Sequence, residues 1–396
     1  MMNNLKFTKM KTARSSEQST ALLSFQRTLR PFLLSMLVFL MMFSGSKLSA
    51  QFEEESVKAA YELRMNGEIW YAEAMLSKLI NQGKEAGLAH YETARVILAK
   101  MKGGINIEGA EDMVGILHSA RNSASNAVRT DSGNVAFAYL EADCSFLMAY
   151  ISMMMEADSA KKDFEDPISC FERVLELKPD YHEARMSLVE IFQRLPEDMG
   201  GNKEKANQHA QILKEMDWFF GAQAGEIMLP EEASRLEYWQ EVWKNNKEDI
   251  RVQKQLGQAY LADGNLEEAK PLFEKVMDAD PAYNTLLLEI ARHHMFQVMQ
   301  GKSKPETEIP LAEASIKDYL SSEPEPIAPL KAYAIGNLAK MKFFSREEEE
   351  GERLMAEASS IDPAFSKAFA VPDLSLYIPP GEIYRRGEYS SFLRPF

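Results

Sequence analysis

The chain has 396 residues, 45% hydrophobic and 27% charged, with 60 acidic against 45 basic side chains and a formal net charge of −15. That length admits two ordinary domains or one solenoid. The acidic balance argues against nucleic acid, whose binding is driven by Lys and Arg neutralising phosphate, and against docking on anionic lipid. With only two cysteines and no companion histidines, a structural zinc site is a poor fit.

The first thirty residues carry Lys6, Lys9, Lys11, Arg14, Arg27 and Arg30 against the single acid Glu17. An apolar run, PFLLSMLVFLMMF, follows, and small residues then lead to Ala50. A basic stretch, a short apolar stretch and a small-residue cleavage site are the parts of a signal peptide. The run falls short of the roughly 20 residues a spanning helix needs. The expectation is a leader over 1–50, cut between Ala50 and Gln51, and a periplasmic or secreted protein; an uncleaved membrane anchor is the alternative. The remaining chain is more acidic still, because the leader takes seven basic residues and one acid.

From residue 51 onward the pattern is helical, and β-strand alternation is essentially missing. Ala60, Leu63, Gly67, Ala72 and Leu76 set a spacing that returns further on. Helices are expected around 87–102 and 108–129, separated by Gly103-Gly104, with Ala120, Ala124 and Ala127 as a close-packing face. A third hairpin runs from about 134 to 177, with Pro167 where a small residue is expected. A fourth contains Leu188, Phe192 and Ala206, with five extra residues before Gly201. Residues 217–247 form a degenerate, aromatic-rich unit containing Trp218, Phe219, Phe220, Tyr238, Trp239 and Trp243.

The clearest unit is LGQAYLADGNLEEAKPLFEKVMDADP at 256–281. Leu256, Gly257 and Tyr260 share one helical face; Ala269, Phe273 and Val276 share a face of the next helix. Small residues where two helices cross let their backbones approach to about 8–9 Å. Gly264-Asn265 supplies the left-handed turn between them, and Pro281 opens the following helix. Two more units follow, one with Ile290, Ala291, Ala312, Ile316 and Pro324 and a polar loop GKSKPETEIP, the other with Ile335, Gly336, Ala339, Met355, Ala358 and Pro363. The last residues, 371–396, lose the helical period and are expected to form a non-helical tail.

The spacing at 256–281 resembles the tetratricopeptide repeat at almost every signature position except the first, where Gln253 replaces Trp. Such a repeat cannot bury its apolar face alone, so the resemblance implies an array. The expected fold is all-α, an α-solenoid (superhelix) of about eight stacked antiparallel hairpins over 51–370. The family usually binds proteins and does no chemistry, so the resemblance implies a scaffold that holds a protein or peptide, with no cofactor; the leader adds export, and the acidic charge argues against nucleic acid. In stacked repeats of this kind the first helix of each hairpin lines the concave face. The residues this places there are Arg251, Lys254, Gln258 and Leu261 in the clear repeat, and Glu183, Met186, Glu190 and Gln193 in the fourth hairpin. Separately, LPEDMGGNKEKA at 195–206 is similar to a loop in the helical T component of periplasmic TRAP transporters. It gives the alternative, a solute-binding component holding a small hydrophobic ligand.

Catalytic and metal motifs give nothing to build on. Gly301-Lys302-Ser303 ends like a phosphate-binding loop, but Phe296 stands where its leading glycine belongs. His293 and His294 are neighbours about 100° apart on a helix and cannot both face one metal. The acidic run Glu347 to Glu350 suits a helix N-terminus. Trp239 and Trp243, at i and i+4, share a face, and core packing is favoured over an interface for them, as it is for Met153, Met154 and Met155.

Overall fold

The computed structural model describes residues 56–104, 110–155 and 164–365; the leader, the first residues after it and the expected tail lie outside them. Among the described residues there are sixteen α-helices and no strand. They pair in chain order as antiparallel hairpins. The first four are α1 (Val57–Met65) with α2 (Ile69–Asn81), α3 (Ala86–Lys102) with α4 (Ala110–Thr130), α5 (Val135–Met154) with α6 (Glu165–Leu177), and α7 (His182–Arg194) with α8 (Lys203–Met216). The rest are α9 (Trp218–Ile227) with α10 (Arg235–Asn245), α11 (Ile250–Ala262) with α12 (Leu266–Ala279), α13 (Leu286–Met299) with α14 (Pro305–Leu320), and α15 (Ala328–Phe344) with α16 (Glu348–Ile361).

The α11–α12 hairpin shows how the residues dictate this geometry. Asn265 caps α12 by accepting from the Glu268 N–H, and Gly264 before it takes a left-handed φ of 85°. Ala269, Phe273 and Val276 then fall at i, i+4 and i+7 and are fully buried. A Cβ on Gly257 would lie 2.5 Å from the Phe273 ring, so the ring occupies the space the glycine leaves. The first hairpin repeats the arrangement: Ala60, Leu63, Ala72 and Leu76 are buried, and Gly67 turns the chain at φ 79°. In the fourth hairpin Asn202 caps α8, Gly200 supplies the positive φ of 100°, and the extra residues form a short 3₁₀ turn, Glu197–Met199. Pro167 falls in the first turn of α6, where a missing N–H costs nothing.

The hydrophobic core is a chain of clusters, each shared between neighbouring hairpins. α5 shows the consequence. It is long and apolar enough to cross a membrane by length and composition. Its Phe137, Leu140 and Cys144 face the second hairpin, while Ala138, Ala142, Phe146 and Ala149 face α6 and the fourth hairpin. A helix covered on two sides has little room for polar residues. The same split separates the cysteines. Cys144 is buried in the cluster shared with the second hairpin, while Cys170 is half-buried on α6 with its Sγ 4.0 Å from Ser145 Oγ, and both are free thiols. Burial pushes the Cys170 thiol up to about 11.

Two expectations need correction. The polar stretch 301–310 is not an open loop: α14 begins at Pro305, which suits a first helical position, and Glu308 on its first turns meets His294 at 2.6 Å. Of the three consecutive methionines only Met153 packs against the core; Met154 and Met155 are exposed at the end of α5.

The end of the described chain returns to its beginning. Gly67, in the first turn, lies against the backbone of Ile361 and Asp362; a Cβ there would fall on the Ile361 carbonyl, 3.0 Å from its carbon. Gly103, closing α3, lies against Ala364, whose Cα would be 2.8 Å from an added Cβ. Asp362 is buried and feels the charge of Arg64 on α1.

Candidate binding surface

The first helix of each hairpin presents one face to its own partner and the next to its neighbours. On α11 the inward face is Val252, Leu256 and Ala259, all buried. Arg251, Lys254, Gln258 and Leu261 are half-buried at spacings of three to four residues, which brings them onto a single stripe. Asp249 caps the helix and also holds Arg251, with Oδ2 2.7 Å from the guanidinium; Asp217 of the preceding hairpin reaches it at 3.2 Å. Burial opposes ionisation of Asp249, but the hydrogen bonds from Arg251 keep its carboxyl below the usual range. The guanidinium lies 4.6 Å from the Phe219 ring centre and 5.5 Å from that of Trp218, which is exposed. The Lys254 ammonium lies 4.7 Å from the Tyr283 ring centre, at the start of the next hairpin. The stripe therefore joins three hairpins and mixes cationic, amide, aliphatic and aromatic groups.

The equivalent positions on α7 behave differently. Met186 is not on a ligand-facing surface: it is fully buried with Val189, Leu213 and Ala224. The cause is α9, a ten-residue helix that packs on α7 and brings Ala224 into the cluster with Met186. Glu183 and Glu190 are buried too, and only Gln193 stays half-exposed. Glu190 meets Arg194 at 3.1 Å. Burial raises the Glu183 carboxyl to about 7 and lowers the neighbouring His182 to about 4. His182 Nε2 sits 3.2 Å from Glu183 Oε1 without hydrogen-bond alignment, and its ring stacks on Phe220 at 3.9 Å. Two neighbours pushed toward their neutral forms make a buried polar contact rather than an ion pair.

Trp239 is core, fully buried, with its indole N–H donating to Glu226 at 3.0 Å; Trp243 packs against the same cluster. Gln253, in place of the signature Trp, is buried and donates to the Lys247 carbonyl at 2.6 Å. Sequence reasoning missed two charge networks. In one, Arg64 and Arg95 converge on the buried Glu92, at 2.6 and 3.3 Å. In the other, Glu226 joins Arg235 and Trp239, with Arg235 reaching on to Gln255 at 3.4 Å. Charged residues on helices normally signal solvent, so nothing in the pattern marks these as interior.

Among the described residues no group of three or more metal-ligating side chains comes together. His294 is bonded to Glu308, and His293 lies 3.3 Å from Gln297. A pocket lined by Leu288, Ala291, Arg292, Met295, Ile316, Tyr333, Asn337 and Met341 has about 10 Å³ of space, room for one water at most. It offers nothing to the solute-binding alternative.

Residues 251–283 match the family model described as tetratricopeptide repeat. The TPR repeat-containing protein YpiA of Bacillus subtilis (strain 168) is 23% identical over 249 residues, covering 55% of this chain and 56% of the relative. The chain thus spans little more than half the length of that relative. Among solved structures, the human IFIT1 dimer with m7Gppp-AAAA is 14% identical, with 78% of this chain and 76% of that one covered and a TM-score of 0.36. A tetratricopeptide repeat protein from Parabacteroides merdae ATCC 43184 is also 14% identical, covering 77% and 91%, with a TM-score of 0.31.

Proposed function

We propose that the chain, which matches the tetratricopeptide-repeat model over residues 251–283, is a non-catalytic scaffold that holds a protein or peptide partner on the first helices of its hairpins. Stacked repeats of this kind generally serve as extended binding surfaces. The observation that carries the proposal is the α11 stripe, where Arg251, Lys254, Gln258 and Leu261 stand half-buried in the matched repeat while Val252, Gln253, Gln255, Leu256, Gly257 and Ala259 are buried. The pairing of Arg251 with Asp217 and Asp249 fixes one end of the stripe. A mixed stripe held in place offers a partner hydrogen bonds and apolar contact at low ordering cost. The segment 1–50, with its basic and apolar stretches, supports a scaffold that works after export.

The test is capture from envelope extract by wild type and by a Lys254→Glu/Leu261→Asp variant, with melting of both recorded. A partner held by wild type and lost by a variant of unchanged melting temperature supports the reading. Equal capture by both overturns the assignment of the stripe. The intact mass of the purified protein shows whether residues 1–50 are removed.

A further inference from the structure

We infer that Asp362–Phe365 is a clasp that closes the array on itself, anchored on the last hairpin and able to release from the first two. Three observations converge on it. The turn Asp362-Pro363-Ala364-Phe365 repeats Asp280-Pro281-Ala282-Tyr283, which opens the hairpin after α12. In both, the aspartate accepts from the N–H two residues on, at 2.8 Å from Ala364 and 2.9 Å from Ala282. The turn after α16 is therefore built to receive another hairpin. Among the described residues, what meets it is the first two hairpins of this same chain, at the turns of Gly67 and Gly103.

The two sides of the clasp differ in kind. On its own side Phe365 is fully buried in the cluster of α13 to α16, over Gly336, where an added Cβ would lie 2.5 Å from the ring. Toward the first two hairpins the described contacts are backbone lying on glycines, the small side chain of Ala364, and a charge, Asp362, buried near Arg64. Arg64 in turn bonds Glu92 on α3, which also holds Arg95. Interlocked apolar side chains come apart at a large cost; backbone laid on glycine and a desolvated charge pair come apart at a smaller one. The clasp thus stays with the last hairpin and lets go of the first two. The inference does not depend on the identity of any partner.

The test uses the full chain and two matched substitutions. Asp280→Arg and Asp362→Arg both remove the same capping bond, but only Asp362→Arg sets a cation against Arg64. Amide exchange is followed at residues 66–68 and 103–104, together with the radius of gyration by small-angle scattering. Asp362→Arg is expected to speed exchange at both turns at least tenfold and to enlarge the molecule, while Asp280→Arg leaves those turns unchanged. Gly103→Ala, at a φ any residue accepts, should act like Asp362→Arg, with Gly115→Ala as control because its added Cβ meets nothing. The clasp is refuted if neither Asp362→Arg nor Gly103→Ala alters exchange at 66–68, or if Asp280→Arg alters it equally. Failure here leaves the α11 stripe untouched, since its test reads capture alone.

Discussion

Gly257 makes room for the helix crossing of the clear repeat. The Phe273 ring rests where its side chain would be, and Ala269 allows the same approach from the facing helix. Gly257→Leu and Ala269→Trp should each destabilise by about 1–3 kcal/mol or more through overpacking, read as a lower urea midpoint. Unchanged midpoints for both would mean the two helices do not cross there. These residues were legible in the sequence because a crossing of two helices demands small side chains at fixed spacing. Met186 was not legible. Its fate depends on α9, whose short length and place across α7 come from a different part of the chain. Gln253 shows the converse: a polar residue at an apolar position, buried because one carbonyl stands in reach of its amide.

At the scale of the element, α5 is the clearest case of context overriding composition. Its apolar character follows from two neighbours, and its last turn reverts to solvent at Met154. Phe146→Ala should therefore cost about 3–5 kcal/mol, because Phe164 and Phe171 lose a ring 6.2 and 6.5 Å away. Met154→Lys should stay within about 0.5 kcal/mol of wild type, as exposed substitutions do. Chemical denaturation of the two variants checks both, and equal effects would contradict the packing of this helix. Helix boundaries were legible within a few residues wherever a cap or a glycine marked them, as at Asn265 and Gly264. They were missed at 301–310, where polar residues and two prolines mimic a loop although Pro305 starts a helix and Pro310 is carried inside it.

At the scale of the molecule, stacking was predictable from the pattern and closure was not. Gly67 and Gly103 look like ordinary turn glycines, and only the fold brings residues from the far end of the described chain onto them. The charge at that junction gives closure a pH dependence. Burial raises the Asp362 carboxyl to about 6, partly opposed by its bond to Ala364 and by Arg64, which pairs with Glu92, itself also paired with Arg95. A carboxyl raised in the folded state stabilises it fully below its unfolded value near 4, and that contribution is lost as pH rises through 6. The ends should hold more firmly at pH 5 than at pH 7.5. Asp362→Asn keeps the acceptor for the Ala364 N–H and removes the titration. Scattering at the two pH values should show a larger radius at pH 7.5 for wild type and no difference for the variant; a difference in both would place the titrating group elsewhere.

Open repeat arrays tolerate gain or loss of a unit, because each unit answers only to its neighbours. A turn that must land on Gly67 and Gly103 removes that freedom. Each hairpin contributes a fixed step and rotation, so an added or deleted pair of helices would carry residues 361–365 away from the glycines that receive them. The number of repeats is thereby quantised, and drift in copy number, ordinarily neutral in such arrays, is here paid at the seam.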